Sequence, residues 1–158
     1  VLGSRGSVLL NFQEQKINGV LKITDPNMTR FSITLAESVK FVLKSLTTTN
    51  GGEILIPKLP SYNILKLAKA VDAKCKIKII GIRPGEKIHE EMITSADSYT
   101  TVEYRDHFRI LPKRPNMIKN KKFKYVKNNF SYNSLENNDF LNVEQLKKLI
   151  KDFNLNEL

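Results

Sequence analysis

Arg5, Arg30 and Arg83 each stand at a turn or beside a short apolar run, in "VLGSRGS", "MTRFSIT" and "IIGIRPGEKIHEE". Arginine in such places suits a bound anion, because its planar fork donates paired, charge-assisted hydrogen bonds to phosphate or carboxylate oxygens. Open α/β sheets bind ligands beyond the carboxyl ends of their strands, which is where Arg83 falls if "KCKIKII" is a strand. Pro84-Gly85 alone would turn the chain; an arginine before the pair and Glu86-Lys87 after it are more than a turn requires. Each arginine alone is better explained by a surface ion pair, and the turn alone by a charged, solvated loop. The three together point to a nucleotide diphosphate.

Other chemistries find less support. His89 and His107 are the only histidines, and "HEEMI" has Ile93 where a zinc-binding helix would need its second His, so no metal site is expected. Neither histidine lies near a serine or cysteine in a nucleophile motif. Glu90 and Glu91 are adjacent, so on a helix they diverge and read as a solvated face rather than an acid–base pair. What remains is anion chemistry.

The elements that must carry the arginines are readable in outline. Val8, Leu9, Phe12 and Ile17 suggest a helix between Gly6 and Gly19, followed by a short strand "VLKIT" and another, "TRFSI". Thr34 and Glu37 make a capping box for a helix whose Val39, Val42, Leu43 and Leu46 recur at three and four. "EILIP" reads as a buried strand. Ser61 is placed to cap a helix with Ile64, Leu67, Ala68 and Val71 on its apolar face. "KCKIKII" alternates as a strand, "KIHEEMI" suggests one or two helical turns, and "HFRILP" a strand. "NVEQLKKLIKDF" is a terminal helix with Val143, Leu146, Leu149, Ile150 and Phe153 inward. Helices alternating with strands, with a more irregular tail, make an α/β arrangement.

At 158 residues and 41% hydrophobic, the chain is long enough for one compact domain. It contains no run of about 20 apolar residues that would span a membrane, and no membrane partner is expected. Its first residues lack a signal peptide's charged segment and apolar core. The single Cys75 excludes an internal disulfide and fits a reducing, cytoplasmic setting. Of the net charge of +10, seven bases without an acid fall between Lys113 and Lys127, leaving an ordinary +3 elsewhere. That run, with its Asn and Pro, reads as a solvated loop, and no nucleic-acid partner is expected. The chain opens on Val1, and a glycine-serine turn entering a helix normally follows a strand. The expectation is a carboxyl-terminal piece of something longer.

Taken together, "VLGSRGSV", "MTRFSIT", "GGEILIPKLPS" and "IIGIRPGEKIHEEMI" resemble the carboxyl-terminal half of nucleotide-sugar 4,6-dehydratases, a family of extended short-chain dehydrogenases. Within it the branch acting on UDP-N-acetylglucosamine with inversion is the most similar. The resemblance is dense from Val1 to about Ile93 and resumes weakly at "FSYNSLENNDFL", where Asn133 replaces a serine. It implies the end of a Rossmann-type sheet over residues 1–18, a substrate-binding α/β domain over 19–112, the basic loop over 113–131 and a terminal segment over 132–158. It also implies that Val1, Leu2, Gly3, Ser4 and Arg5 lie against NADP. Leu9 and Thr24 would border the sugar nucleotide, Arg30 and Arg83 its diphosphate, and Glu86 the ligand or an arginine. Ser32 stands where the family usually has Trp, which reduces the packing around that pocket.

The reaction so implied oxidises the sugar at C4 with NADP+, eliminates water across C5 and C6, and returns the hydride to C6. The product, a 4-keto-6-deoxy sugar nucleotide, serves surface or flagellar glycans. The glycine-rich loop and the acid–base groups would precede Val1, so this chain alone is expected to be inactive. A full-length protein is expected to be a homo-oligomer. A retaining dehydratase or 5-epimerase of the same fold, and a small basic nucleic-acid-binding module, are the alternatives.

Overall fold

A computed structural model describes residues 1–49, 51–112 and 123–156. The run from Lys113 to Lys122 therefore lies outside the described residues. Helix α1 (Val8–Lys16) leads into β1 (Val20–Ile23) and β2 (Thr29–Phe31). Helix α2 (Leu35–Thr48) and β3 (Ile54–Pro57) follow, then β4 (Ser61–Asn63), α3 (Ile64–Val71) and β5 (Lys76–Ile79). Beyond these come β6 (Glu91–Ile93), a single 3-10 turn at Asp97–Thr100, β7 (Thr101–Glu103), β8 (His107–Ile110), β9 (Tyr132–Asn133) and α4 (Val143–Asn156).

The strands form four small sheets. β1 and β5 run parallel, in register from Val20 opposite Lys76 to Ile23 opposite Ile79. Such a pair needs a long crossover, here everything from β2 to α3. β2 pairs antiparallel with β4, β6 with β9, and β8 lies between β3 and β7. The α/β class read from the sequence is therefore the class observed.

Two apolar cores hold these pieces. In the first, Leu9 and Phe12 of α1, Leu21 and Ile23 of β1, Leu67 and Ala68 of α3 and Leu146 of α4 pack with Leu2 and Met28. Residues on either side of position 19 thus share one core. The second joins Ile56, Ile93, Phe108 and Tyr132, with Phe31, Met92 and Phe130 against them.

Several local expectations meet tertiary structure and change. Ser61 does not cap α3: it is fully buried in β4, and Asn63 accepts from the Leu65 N–H instead, at 2.9 Å. "KIHEEMI" contains no helix; Glu91–Ile93 is a strand, because Tyr132–Asn133 offers it a partner. Ile17, expected on the apolar face of α1, lies just past the helix and is 86% exposed. Ile54, at the start of the expected buried strand, is 59% exposed, while Ile56, on the same face of β3, is buried. The capping box of α2 is present in both its bonds, yet no residue of α2 is buried, and Leu43 and Leu46 are 60% and 71% exposed. The apolar spacing predicted the helix; nothing among the described residues covers its stripe.

Candidate functional site

A cavity of about 640 Å³ opens between α1, the ends of β1 and β2, β4 and the loop from Arg83 to Glu90. Its lining includes Val1, Leu2, Gly3, Ser4, Leu9, Thr24, Arg30, Arg83 and Glu86, which are scattered over 86 positions of sequence. Arg5 is not among the lining residues and is exposed.

The Arg83 edge is built by a turn. Pro84 and Gly85, the latter at φ +80°, are its central residues, and the Glu86 N–H donates to the Arg83 carbonyl at 3.0 Å. A positive φ at the second central position is what a type II turn demands and glycine supplies without strain. The turn brings Glu86 under its own arginine. Glu86 accepts from the Arg83 N–H at 3.2 Å, from Nε at 3.3 Å and from an Nη at 3.4 Å. Thr24 Oγ1 donates to the same carboxylate at 3.4 Å, tying the end of β1 to the turn. The Arg83 side chain remains 75% exposed and lines the cavity.

Arg30 is held differently. One of its Nη atoms donates to the carbonyls of Thr29 and Ile88 at 2.8 and 2.9 Å, and the other to that of Lys87 at 2.9 Å. Its Nε lies 3.3 Å from Glu90. The guanidinium thus stitches β2 to the loop carrying Arg83, and to meet a ligand anion it would exchange one of these carbonyls. Glu90, read from sequence as part of a solvated helix face, is instead the acid that holds Arg30, and it lines the cavity. Strand alternation through "HEEMI" was the available signal, since a strand puts Glu90 and Glu91 on opposite faces. Tyr62 in the cavity wall carried no such signal. Burial pushes its phenol up to about 12, so near neutral pH it stays protonated and is no general base.

Gly3, at φ +75°, has no room for a side chain because the Phe153 ring occupies the place, 2.0–2.7 Å from an added Cβ. Gly6 has nothing within 4 Å of an added Cβ. The glycine at position 3 is therefore needed for packing against α4. Among the described residues no cluster of His, Cys, Asp and Glu could hold a metal ion, and no helix is long and apolar enough to cross a membrane.

Three carboxylates sit below their ordinary range: Glu86 through Arg83, Glu103 through Lys124 and Lys58, and Asp106 through Lys44 and His107. A depressed folded-state pKa adds stability in full above the unfolded value, near 4, and loses it as pH falls through the folded value. The urea midpoint should be level between about pH 7 and 5 and drop below about pH 4. Glu103→Gln should flatten that drop, and a midpoint independent of acid would contradict the pairing.

The profile of the polysaccharide biosynthesis protein family matches residues 1–112. Over 161 aligned residues the chain is 42% identical to the UDP-N-acetylglucosamine 4,6-dehydratase (inverting) of Campylobacter jejuni, covering 95% of this chain and 48% of that protein. It is 41% identical over 115 residues to the UDP-glucose 4-epimerase of Rickettsia conorii, covering 70% and 34%. The X-ray structure of Pen from Bacillus thuringiensis superposes with a TM-score of 0.79 at 31% identity, over 96% of this chain and 46% of Pen. The chain spans about half the length of the first of these relatives and of Pen. Its architecture is that of the carboxyl-terminal part of an extended short-chain dehydrogenase. With the profile covering most of its length, the chain belongs to the polysaccharide biosynthesis protein family.

Proposed function

We propose that this chain is the nucleotide-sugar-binding half of an NADP-dependent, C5-inverting UDP-N-acetylglucosamine 4,6-dehydratase serving surface or flagellar glycans. The observation that carries the reading is the meeting of Arg83 and Arg30 at one cavity, from positions far apart in sequence. In this reading Arg83 takes the diphosphate with its exposed fork and Glu86 orients that fork. Arg30 supplies a second positive charge at the inner wall. Leu9 and Thr24 border the sugar nucleotide. The cavity-facing part of Val1–Arg5 touches only one end of the cofactor, and the main dinucleotide site belongs to the half of the relatives not covered here. NADP, when bound, supplies the hydride chemistry; the residues of this chain bind and orient the substrate. The reading keeps residues 1–18 as the end of the dinucleotide domain, 19–112 as the substrate domain, 113–131 as a basic loop and 132–158 as a terminal segment. It takes the full-length protein as a cytoplasmic homo-oligomer and this chain alone as inactive.

The Rickettsia relative favours a second reading, a nucleotide-sugar epimerase with the same diphosphate grip. Calorimetric titration of the chain with UDP tests both. Binding that weakens only modestly with salt supports the diphosphate site. Failure to bind UDP, with duplex DNA bound and steeply salt-dependent, overturns it. A preference for UDP-glucose over UDP-N-acetylglucosamine would favour the epimerase.

A further inference from the structure

The segment from Ser131 to Leu141 lies beyond the reach of the family profile, which ends at residue 112, and none of its residues lines the cavity. It is nevertheless stitched to both cavity walls. On one side Asn137 Nδ2 donates to the Leu59 carbonyl at 2.7 Å and to Ser61 Oγ at 2.9 Å. The Tyr132 hydroxyl also bridges the N–H and carbonyl of Leu59, at 2.7 and 3.0 Å. Leu59 is a lining residue.

The other side centres on Ser134, which is fully buried. Its N–H donates to the Glu90 carbonyl at 2.7 Å, and its Oγ accepts from the Glu90 N–H at 2.9 Å. The same Oγ lies 2.7 Å from Thr29 Oγ1 and donates to the Thr29 carbonyl at 3.1 Å. Thr29, 3% exposed, reaches on to His89 Nδ1 at 2.8 Å. Every partner of this hydroxyl belongs to a residue that holds, or neighbours, Arg30: Thr29 precedes it in β2, and Glu90 binds its Nε. This buried oxygen therefore ties β2 to the loop that begins with Arg83 and ends in Glu90, beside the Thr29 N–H that donates to the Ile88 carbonyl at 3.1 Å. Two strands this short, three residues each in β2 and β6, have few ladder bonds of their own to hold them there.

We propose that Ser134 is a positioning residue for the diphosphate edge, acting through Thr29 and Glu90 on Arg30 and through the 83–90 loop on Arg83. The inference rests on the functional reading above. It accounts for a small, buried hydroxyl where an apolar side chain would pack without needing partners.

The test uses the 158-residue chain, with UDP as the probe in calorimetric titration. Ser134→Ala should unfold cooperatively in urea and bind UDP about 3- to 10-fold more weakly. If Ser134→Ala does not unfold cooperatively, Ser134→Cys, which keeps the side-chain shape with a somewhat larger and weakly hydrogen-bonding atom, carries the same test. A merely structural serine would not couple to the arginine. In an Arg83→Ala background the serine replacement should therefore cost clearly less affinity than in the unaltered chain, since only the route through Arg30 remains, while its effect on the urea midpoint persists. UDP binding by Ser134→Ala within 2-fold of the unaltered chain, or costs in affinity that add in the double variant, would overturn this inference alone. No UDP binding by the unaltered chain would overturn it together with the functional reading.

Discussion

Arg83→Ala is expected to weaken UDP binding about 10-fold or more, with the chain's fold and urea midpoint little changed. The size follows from geometry. Arg83 is mostly exposed, so water screens its pair with Glu86, and Glu86, itself only 19% exposed, keeps the backbone N–H of residue 83 and Thr24 Oγ1 as donors when the side chain is removed. The grip on a diphosphate is different, because both terminal nitrogens can donate to neighbouring oxygens at once and the ligand carries more than one negative charge. Arg83→Lys keeps the charge but loses the fork, and should fall between the two. Raising salt from about 50 to 500 mM should narrow the difference between the arginine and alanine forms, since screening acts on the charge they differ by. Equal affinity in all three forms would remove Arg83 from the site and, with it, the observation on which the functional reading stands.

Arg83 is legible in the amino-acid sequence because its signals are local. A strand end, a Pro-Gly turn and an acid just after it occupy the eight positions from Ile79 to Glu86, and the Glu86 contacts close within them. The capping box of Thr34 and Glu37 is legible for the same reason. What escapes a reading of the sequence depends on distant partners. Glu90 and Ser134 acquire their roles only when a segment more than 40 residues downstream arrives beside β2 and β6, as the 44-residue separation of Glu90 and Ser134 shows. "KIHEEMI" is compatible with either a helix or a strand until Tyr132–Asn133 pairs with it. Ser61 and Asn63 are both competent caps, and the pairing of β4 with Phe31 decides for Asn63 by drawing Ser61 into a strand. The apolar stripe of α2 shows the converse limit: periodicity specifies a helix and a face, but burial needs a second surface.

Glu53→Ala is expected to cost more stability than any change on the cavity rim. Arg109 and Glu53 form an ion pair at 3.3 Å with both side chains only 8% exposed. The guanidinium also donates to the Thr48 carbonyl at 3.2 Å, at the end of α2, and lies 5.0 Å from the centre of the Tyr104 ring. Its Nε is already buried without a hydrogen-bond partner among the described residues. Removing the carboxylate leaves a buried cation whose dehydration no other acid paired with it among the described residues offsets, at a cost of about 3–5 kcal/mol. In a domain with about 5–15 kcal/mol in total, that is a large share and should lower Tm by roughly 6–20 °C. Glu53→Gln, which keeps an acceptor, should cost less. The informative comparison is Glu53→Leu with Arg109→Met, since replacing both charges by apolar groups removes the dehydration problem altogether. Measured by urea unfolding at pH 7, the double variant should be clearly more stable than Glu53→Ala alone. If instead Glu53→Ala lies within about 0.5 kcal/mol of the unaltered chain, as an ordinary surface change would, the pair is solvated and α2 is not anchored through it.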